Sequence, residues 1–340
     1  MTVLGKVRVV LAAGVTTALL VAGCSSGGGA GPESTAPSGA FPVTIDSSLG
    51  KVKIDSEPKR VVTLGWGSTE AAVALGVVPV GMRNMKGDSG TPDGIVPWIK
   101  DGLGGAHPTL LDESSESIPY EKIAALRPDV ILAVQSGLTD DQYAQLGKIA
   151  PTVAFPGKAW QTSWQDQTTI AGKALGREAK AKELVDKTEA QLAKVKSEHP
   201  EFAGKTVAAT GAVNPDSLAF YFDTDPRVSL LTSIGFTALP ALTKLREAAS
   251  PGKFATMVSW ENLAQYTPDV LTTWFNSDSV RNAVSTNPVF AGLAPVQRKA
   301  YVPLTDPALV FAVSSPNVLD IPWLLNRYVP QLSAAAKAAG

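Results

Sequence analysis

Few side chains in this 340-residue chain are suited to chemistry, and their types limit what chemistry that is. There are two histidines, His107 and His199, and one cysteine, Cys24. General-base and zinc chemistry are short of candidates, and a lone thiol forms neither an intramolecular disulfide nor a thiolate cluster. His199 ends a helical pattern, where the helix dipole favours it, and His107 falls in a Gly-Gly-Ala-His-Pro loop. There is no Gly-x-Ser-x-Gly elbow and no Gly-x-x-x-x-Gly-Lys phosphate loop. Gly65-Trp-Gly-Ser lacks the third glycine of a dinucleotide loop. The expectation is therefore no catalytic residue, no metal site and no cofactor.

What remains is a set of aromatic and arginine side chains that follow apolar runs. In α/β lobes ligands lie beyond the carboxyl ends of the strands, and that rule selects the candidates. Trp66 follows a predicted strand over 61–64, Arg83 one over 77–82, and Trp160 one over 152–155. Tyr221 and Arg227 flank a turn, Trp274 ends a strand over 270–274, and Phe254 and Arg281 are secondary candidates. Such residues offer aromatic surface and charge-assisted donors; the competing roles are packing for each Trp and a solvated surface for each Arg.

The elements that position them are organised around residues 168–198. Apolar residues at Ala171, Ala174, Leu175, Ala181, Leu184, Val185, Leu192 and Val195 keep the spacing of one helix face, and Gly176 predicts a kink or a break. Around this helix the sequence repeats. Ile118-Pro-Tyr-Glu-Lys-Ile-Ala-Ala-Leu-Arg-Pro-Asp-Val lies before it, and Val258-Ser-Trp-Glu-Asn-Leu-Ala-Gln-Tyr-Thr-Pro-Asp-Val after it. Each copy predicts a short helix stopped by Pro, a turn at Asp and a strand.

Before the helix, a hairpin over 41–54 leads into strands over 61–64, 77–82, 130–134 and 152–155. Helices over 68–75 (capped by Ser68), 120–126 and 140–149 alternate with them. After it come strands over 205–211, 218–222, 270–274 and 299–303, with helices over 226–234, 260–266 and 318–329. The fold class is α/β: two doubly wound lobes, 41–163 and 200–340, joined by a long helical connector over 164–199, with a ligand cleft between them.

The first forty residues are of a different kind. Lys6 and Arg8 precede an apolar run over 9–22, and Leu20-Val-Ala-Gly-Cys24 ends it with small residues before the cysteine. This resembles a bacterial lipoprotein signal over 1–23, cleaved before a lipidated Cys24. Residues 24–40, rich in Ser, Gly, Pro and Ala, read as a flexible tether. A net charge of −1 gives no bias towards nucleic acid.

Pro58-Lys-Arg-Val-Val-Thr-Leu, Ala74-Leu-Gly-Val-Val-Pro-Val-Gly, the lipoprotein signal and the two repeats occur in an order that resembles one family. These are the substrate-binding lipoproteins of ABC importers for ferric siderophores, haem or cobalamin. Phe41-Pro-Val-Thr-Ile and Gly65-Trp-Gly-Ser are most similar to the actinobacterial iron–siderophore binders. The resemblance implies a monomer tethered to the outer face of the cell membrane through Cys24. It implies a ferric siderophore as the ligand, with haem, cobalamin or a cleft enzyme as alternatives, and the strand-end rule offers Trp66, Arg83, Trp160, Tyr221, Arg227 and Trp274 to hold it. It also implies that Glu121 and Glu261, one per repeat, pair with arginines of a permease dimer.

Overall fold

The computed structural model describes residues 41–114 and 116–340. The expected signal, the tether and Cys24 lie outside the described residues. At the start of the described chain, β1 (Val43–Ser47) and β2 (Gly50–Ile54) pair antiparallel across a two-residue turn. Val43, Ile45, Val52 and Ile54 are buried while their neighbours face out, as period-two alternation requires.

The first lobe runs β3 (Val61–Thr63), α1 (Ser68–Ala74), β4 (Gly81–Arg83), α2 (Lys86–Ser89), β5 (Thr109–Leu111), α3 (Tyr120–Ala125), β6 (Val130–Ala133), α4 (Asp140–Gly147) and β7 (Thr152–Ala154). Its five strands are parallel in the order β5-β4-β3-β6-β7. The central strands β3 and β6 are buried on both faces, which is why they read as unbroken apolar runs. Two local expectations fail here. The strand placed at 77–82 begins only at Gly81, because Pro79 has no N–H for a ladder. Ser68 is not the cap of α1; Gly67 holds that position, and the Ser68 hydroxyl instead accepts from the Val134 N–H at 3.2 Å.

Two helices, α5 (Trp164–Ala174) and α6 (Glu178–Glu198), make the connector, separated at Gly176, whose φ of 66° ends α5. The 21 residues of α6 extend about 32 Å at 1.5 Å per residue.

The second lobe runs β8 (Thr206–Ala212), β9 (Ser217–Tyr221), α7 (Pro226–Ser233), β10 (Thr237–Ala238), α8 (Ala241–Ala248), β11 (Ala255–Ser259), β12 (Val270–Phe275), α9 (Asp278–Thr286), α10 (Pro288–Ala291), α11 (Ala294–Gln297), β13 (Tyr301–Leu304), α12 (Pro307–Ser314) and α13 (Asp320–Ala338). The strand order is β11-β9-β8-β12-β13, with β10 also on β8. This sheet is mixed, because β9 pairs antiparallel with both β8 and β11. A purely parallel winding is ruled out by the short β8–β9 connection, since a parallel crossover needs about a dozen residues. Residues Trp260–Gln265 form a 3-10 segment in place of the expected α-helix. The closing helix, expected to stop before Pro330, continues through it to Ala338.

The repeated Pro-Asp-Val has the same job in both lobes. Asp129 accepts from the N–H groups of Lys59 and Arg60 at 2.7 and 2.9 Å, just before β3. Asp269 accepts from the N–H and hydroxyl of Thr206 at 2.8 and 2.7 Å, at the start of β8. Each Asp fastens the strand it introduces to the first strand of its lobe.

The lobes meet through α12. Phe311 is buried among Val73, Met82, Met85, Val96, Ile99 and Leu103 of the first lobe. Pro307 lies so close to Gly90 that a Cβ there would stand 3.0 Å away.

Candidate functional site

The carboxyl ends of the first-lobe strands carry Trp66, Arg83 and the loop after β6. Trp66 sits between two glycines with left-handed backbone, Gly65 at φ 70° and Gly67 at φ 75°. Larger residues would not fit, because a Cβ on Gly65 would stand 2.4 Å from the Gln135 carbonyl oxygen. The Trp66 N–H donates to that oxygen at 2.8 Å, tying the turn to the end of β6.

Trp160 faces Trp66, with ring centroids 5.2 Å apart and planes at 55°. Its φ of 61° lies in the region that non-glycine residues rarely occupy. Hydrogen bonds hold it there: its N–H donates to the Ser136 carbonyl at 3.0 Å, and its own carbonyl accepts from the Gln135 side chain at 3.2 Å. Gly137 makes room for the indole, since a Cβ there would stand 2.2 Å from Trp160 Nε1.

Arg83 is paired on two sides. Its Nε donates to Asp88 Oδ2 at 3.0 Å, and Nη1 lies 3.5 Å from Glu113 Oε1. Glu113, only 5% exposed, also accepts from the Gly65 N–H at 3.0 and 3.1 Å. Burial pushes its carboxyl upward, opposed by the Arg83 charge.

In the second lobe Arg227 opens α7. Its Nη1 donates to both oxygens of Asp225 at 3.1 Å, and its guanidinium stacks 4.0 Å above the Tyr221 ring. Asp225 caps α7 by accepting from the Arg227 N–H at 2.9 Å. Burial pushes the Asp225 carboxyl upward as well, again opposed by its arginine.

Two cavities share Trp66 and Trp160 as walls. One, of about 180 Å³, lies within the first lobe and is bounded by Arg83, Glu113, Ile118, Ser136 and Gln142. The other, of about 210 Å³, lies between the lobes, where Trp66, Gln135 and Trp160 face Asp225, Arg227, Phe254 and Ser314. A larger recess of about 410 Å³ runs beside α6, but it holds no arginine and one aromatic, Trp164. We place the candidate site at the two cavities that join the convergent aromatic and charged groups.

Of the sequence candidates, Trp66, Arg83, Trp160, Arg227 and Phe254 line these cavities. Tyr221 and Trp274 do not. Tyr221, 4% exposed, lies under Arg227 and stacks on Phe254, and Trp274 donates to the Tyr221 hydroxyl at 2.9 Å, so both support the residues that face the cavity. Arg281 pairs with Asp278 at 3.3 Å away from the cavities. His107 lies before β5, at the amino edge of the sheet. His199 pairs with Glu201 at 3.1 Å, so a neighbouring carboxylate joins the helix terminus as its partner.

Sequence reasoning missed Gln135, Glu113 and Asp225. The strand-end rule points equally to Gln135, which directly follows the predicted strand over 130–134, but an uncharged polar side chain carries no signal of the kind that marks an aromatic or an arginine. Glu121 and Glu261 are exposed and open α3 and the 3-10 segment. β5 and β11 run in the same sense as the central strands of their sheets, so both glutamates stand at the carboxyl edge, the side that holds the cavities.

Two α/β lobes, a helical connector and an aromatic-walled cleft between them define a bilobed binding protein. The profile of the periplasmic binding protein family matches residues 61–307, and the chain belongs to that family. It is similar to the probable siderophore-binding lipoprotein YfiY of Bacillus subtilis (strain 168), 30% identical over 198 residues. That alignment covers 57% of this chain and 56% of YfiY, so the chain spans about half the length of this relative. Among solved structures, PiaA of Streptococcus pneumoniae TIGR4 in complex with ferrichrome superposes with a TM-score of 0.78 at 31% identity, covering 87% of this chain and 99% of PiaA. A periplasmic solute binding protein from Mycobacterium smegmatis str. MC2 155 gives 0.73 at 32% identity, covering 86% of this chain and 98% of its own.

Proposed function

We propose that this chain captures a ferric siderophore outside the cell and delivers it to the permease of an ABC importer, without chemistry of its own. The observation that carries this is the cavity between the lobes, where Trp66 and Trp160 of one face Arg227 and Phe254 of the other. A coordinatively saturated iron chelate needs from the protein aromatic surface and a few oriented donors, with no ligand to the metal. The similarity to PiaA, solved with ferrichrome, supports the same reading.

The test is titration of the purified protein with a panel of ferric siderophores, followed by tryptophan fluorescence. Saturable quenching is expected from at least one ferric complex, and its loss in Trp160→Ala. No saturable response from any ferric chelate sinks the proposal. The same proposal includes a lipid anchor on Cys24, so Cys24→Ala is expected to release the protein from membranes with ligand affinity intact. Membrane retention of that variant argues against the anchor.

A further inference from the structure

Both cleft arginines are charge-compensated by carboxylates of this chain. The charged side chains that line the two cavities are Arg83, Glu113, Asp225 and Arg227, and Asp88 binds Arg83 directly. Two positive groups therefore stand against three carboxylates, a net of −1 when all are ionised. No lysine lines either cavity among the described residues. The compensation is close and directional: each oxygen of Asp225 accepts from Arg227 Nη1 at 3.1 Å, and Asp88 accepts from Arg83 Nε at 3.0 Å. An arriving anion would meet guanidinium groups whose field is already cancelled, and would approach Glu113 and Asp225 as well.

The same arginines remain good donors to uncharged oxygen. A guanidinium has five N–H groups, and these pairings leave several of them free. Arg227 Nε on one lobe and Trp66 Nε1 on the other have no hydrogen-bond partner among the described residues. Both residues line the cavity between the lobes, and the guanidinium N–H groups that Asp225 leaves unused suit a ligand rich in acceptor oxygens. The aromatic rings supply the rest of its contact surface.

Building on the siderophore reading, we infer that Asp225, Glu113 and Asp88 set specificity by cancelling the arginine charge, so that the cleft takes an uncharged ferric chelate and disfavours an anionic one. A ferric trihydroxamate fits this description, because three singly charged hydroxamates balance the iron. Carboxylate and catecholate complexes keep a net negative charge and do not.

The experiment compares ferrichrome with ferric dicitrate by tryptophan quenching, in the wild-type protein and in Asp225→Asn and Asp88→Asn. Asn at 225 keeps an oxygen able to cap α7 while releasing the charge of Arg227. Asp88 is a quarter exposed, so its variant is a second route should the first fold poorly. The wild type is expected to favour ferrichrome by at least about tenfold, and each variant to shift the ratio towards dicitrate by about tenfold. Comparing that ratio between wild type and variant cancels the difference in size between the two chelates. Wild-type preference for dicitrate, or an unchanged ratio in both folded variants, overturns the inference and leaves the siderophore reading standing. Absence of binding to any ferric chelate overturns both.

Discussion

The rings of Trp66 and Phe311 meet at 86° with centroids 5.3 Å apart, so an indole of the first lobe that walls the cleft rests on a side chain of the second. Phe311 in turn lies parallel to Trp98 at 6.1 Å, and Trp98 packs on Trp323 at 4.9 Å. The contact between the lobes and the wall of the candidate cavity are thus one aromatic cluster. Phe311→Ala is expected to cost about 3–5 kcal/mol of stability, the range for emptying a buried aromatic site. It is also expected to weaken ligand binding, because Trp66 loses its support. Denaturant unfolding and fluorescence titration of the same preparation check both; a variant that is destabilised yet binds normally separates the lobe contact from the site.

Gly137 tests the placement of Trp160. In Gly137→Ala the new Cβ would stand 2.2 Å from Trp160 Nε1, so the indole has to move. The expected result is an affinity loss of about tenfold with a stability cost of about 1–3 kcal/mol, as for other overpacked sites. Gly147→Ala, whose added Cβ meets nothing within 4 Å, is the control and should bind ligand as the wild type does. Equal affinity in the two variants would remove Trp160 from the site.

Glu121 and Glu261 stand exposed on the cavity edge of their lobes, one in each repeat. Hydrogen bonding by its own backbone N–H, with help from Ser259, holds the Glu261 carboxyl below the usual range, so it stays charged. Acidic groups at matching places on two lobes can orient docking on a permease and speed encounter. Glu121→Ala with Glu261→Ala is expected to impair iron uptake in cells while leaving ligand affinity and stability near normal, with the double variant worst. Normal uptake would leave both residues with the lesser task of favouring their helix N-termini.

Glu70 of α1 and Asp320 of α13 are both buried, and Trp98 Nε1 donates to Glu70 at 3.2 Å. Burial pushes both carboxyls upward, and the charge of Glu70 raises Asp320 further. A carboxyl with a folded value above its unfolded one takes up a proton on folding. The stability it gives is fully present below the ordinary carboxyl range and is lost as pH rises through the folded value. Glu201 acts the other way: a hydrogen bond from Ser333, with help from His199 and Lys337, holds it at about 2, so its contribution is lost as pH falls towards that value. Glu70→Gln keeps an acceptor for Trp98 and removes one buried charge. Its stability relative to wild type should therefore rise with pH from the carboxyl range upward, which denaturant midpoints across that range would show. A difference independent of pH would mean that Glu70 does not titrate there.

Much of this architecture is legible in the sequence because it rests on local rules. Buried parallel strands read as apolar runs, Gly176 announces the break between α5 and α6, and the paired Pro-Asp-Val segments reveal two related lobes. The tertiary structure supplies their reason: Asp129 and Asp269 each fasten the first strand of a lobe. Where local rules misled, a neighbour decided. The four-residue link after β8 forced an antiparallel partner, and Pro330 stayed within α13 against its helix-breaking tendency.

The candidate site divides in the same way. Sequence alone determined which residues stand at strand ends, so Trp66, Arg83 and Trp160 could be named from it. Only the tertiary structure decided that Tyr221 and Trp274 lie beneath Arg227, that Phe254 lines the same cavity as Trp66, and that both arginines are already paired. The reason is physical: the spacing of residues fixes which edge of a sheet a side chain occupies. Whether it then faces a ligand, a ring or a carboxylate depends on atoms contributed by elements far away in the chain.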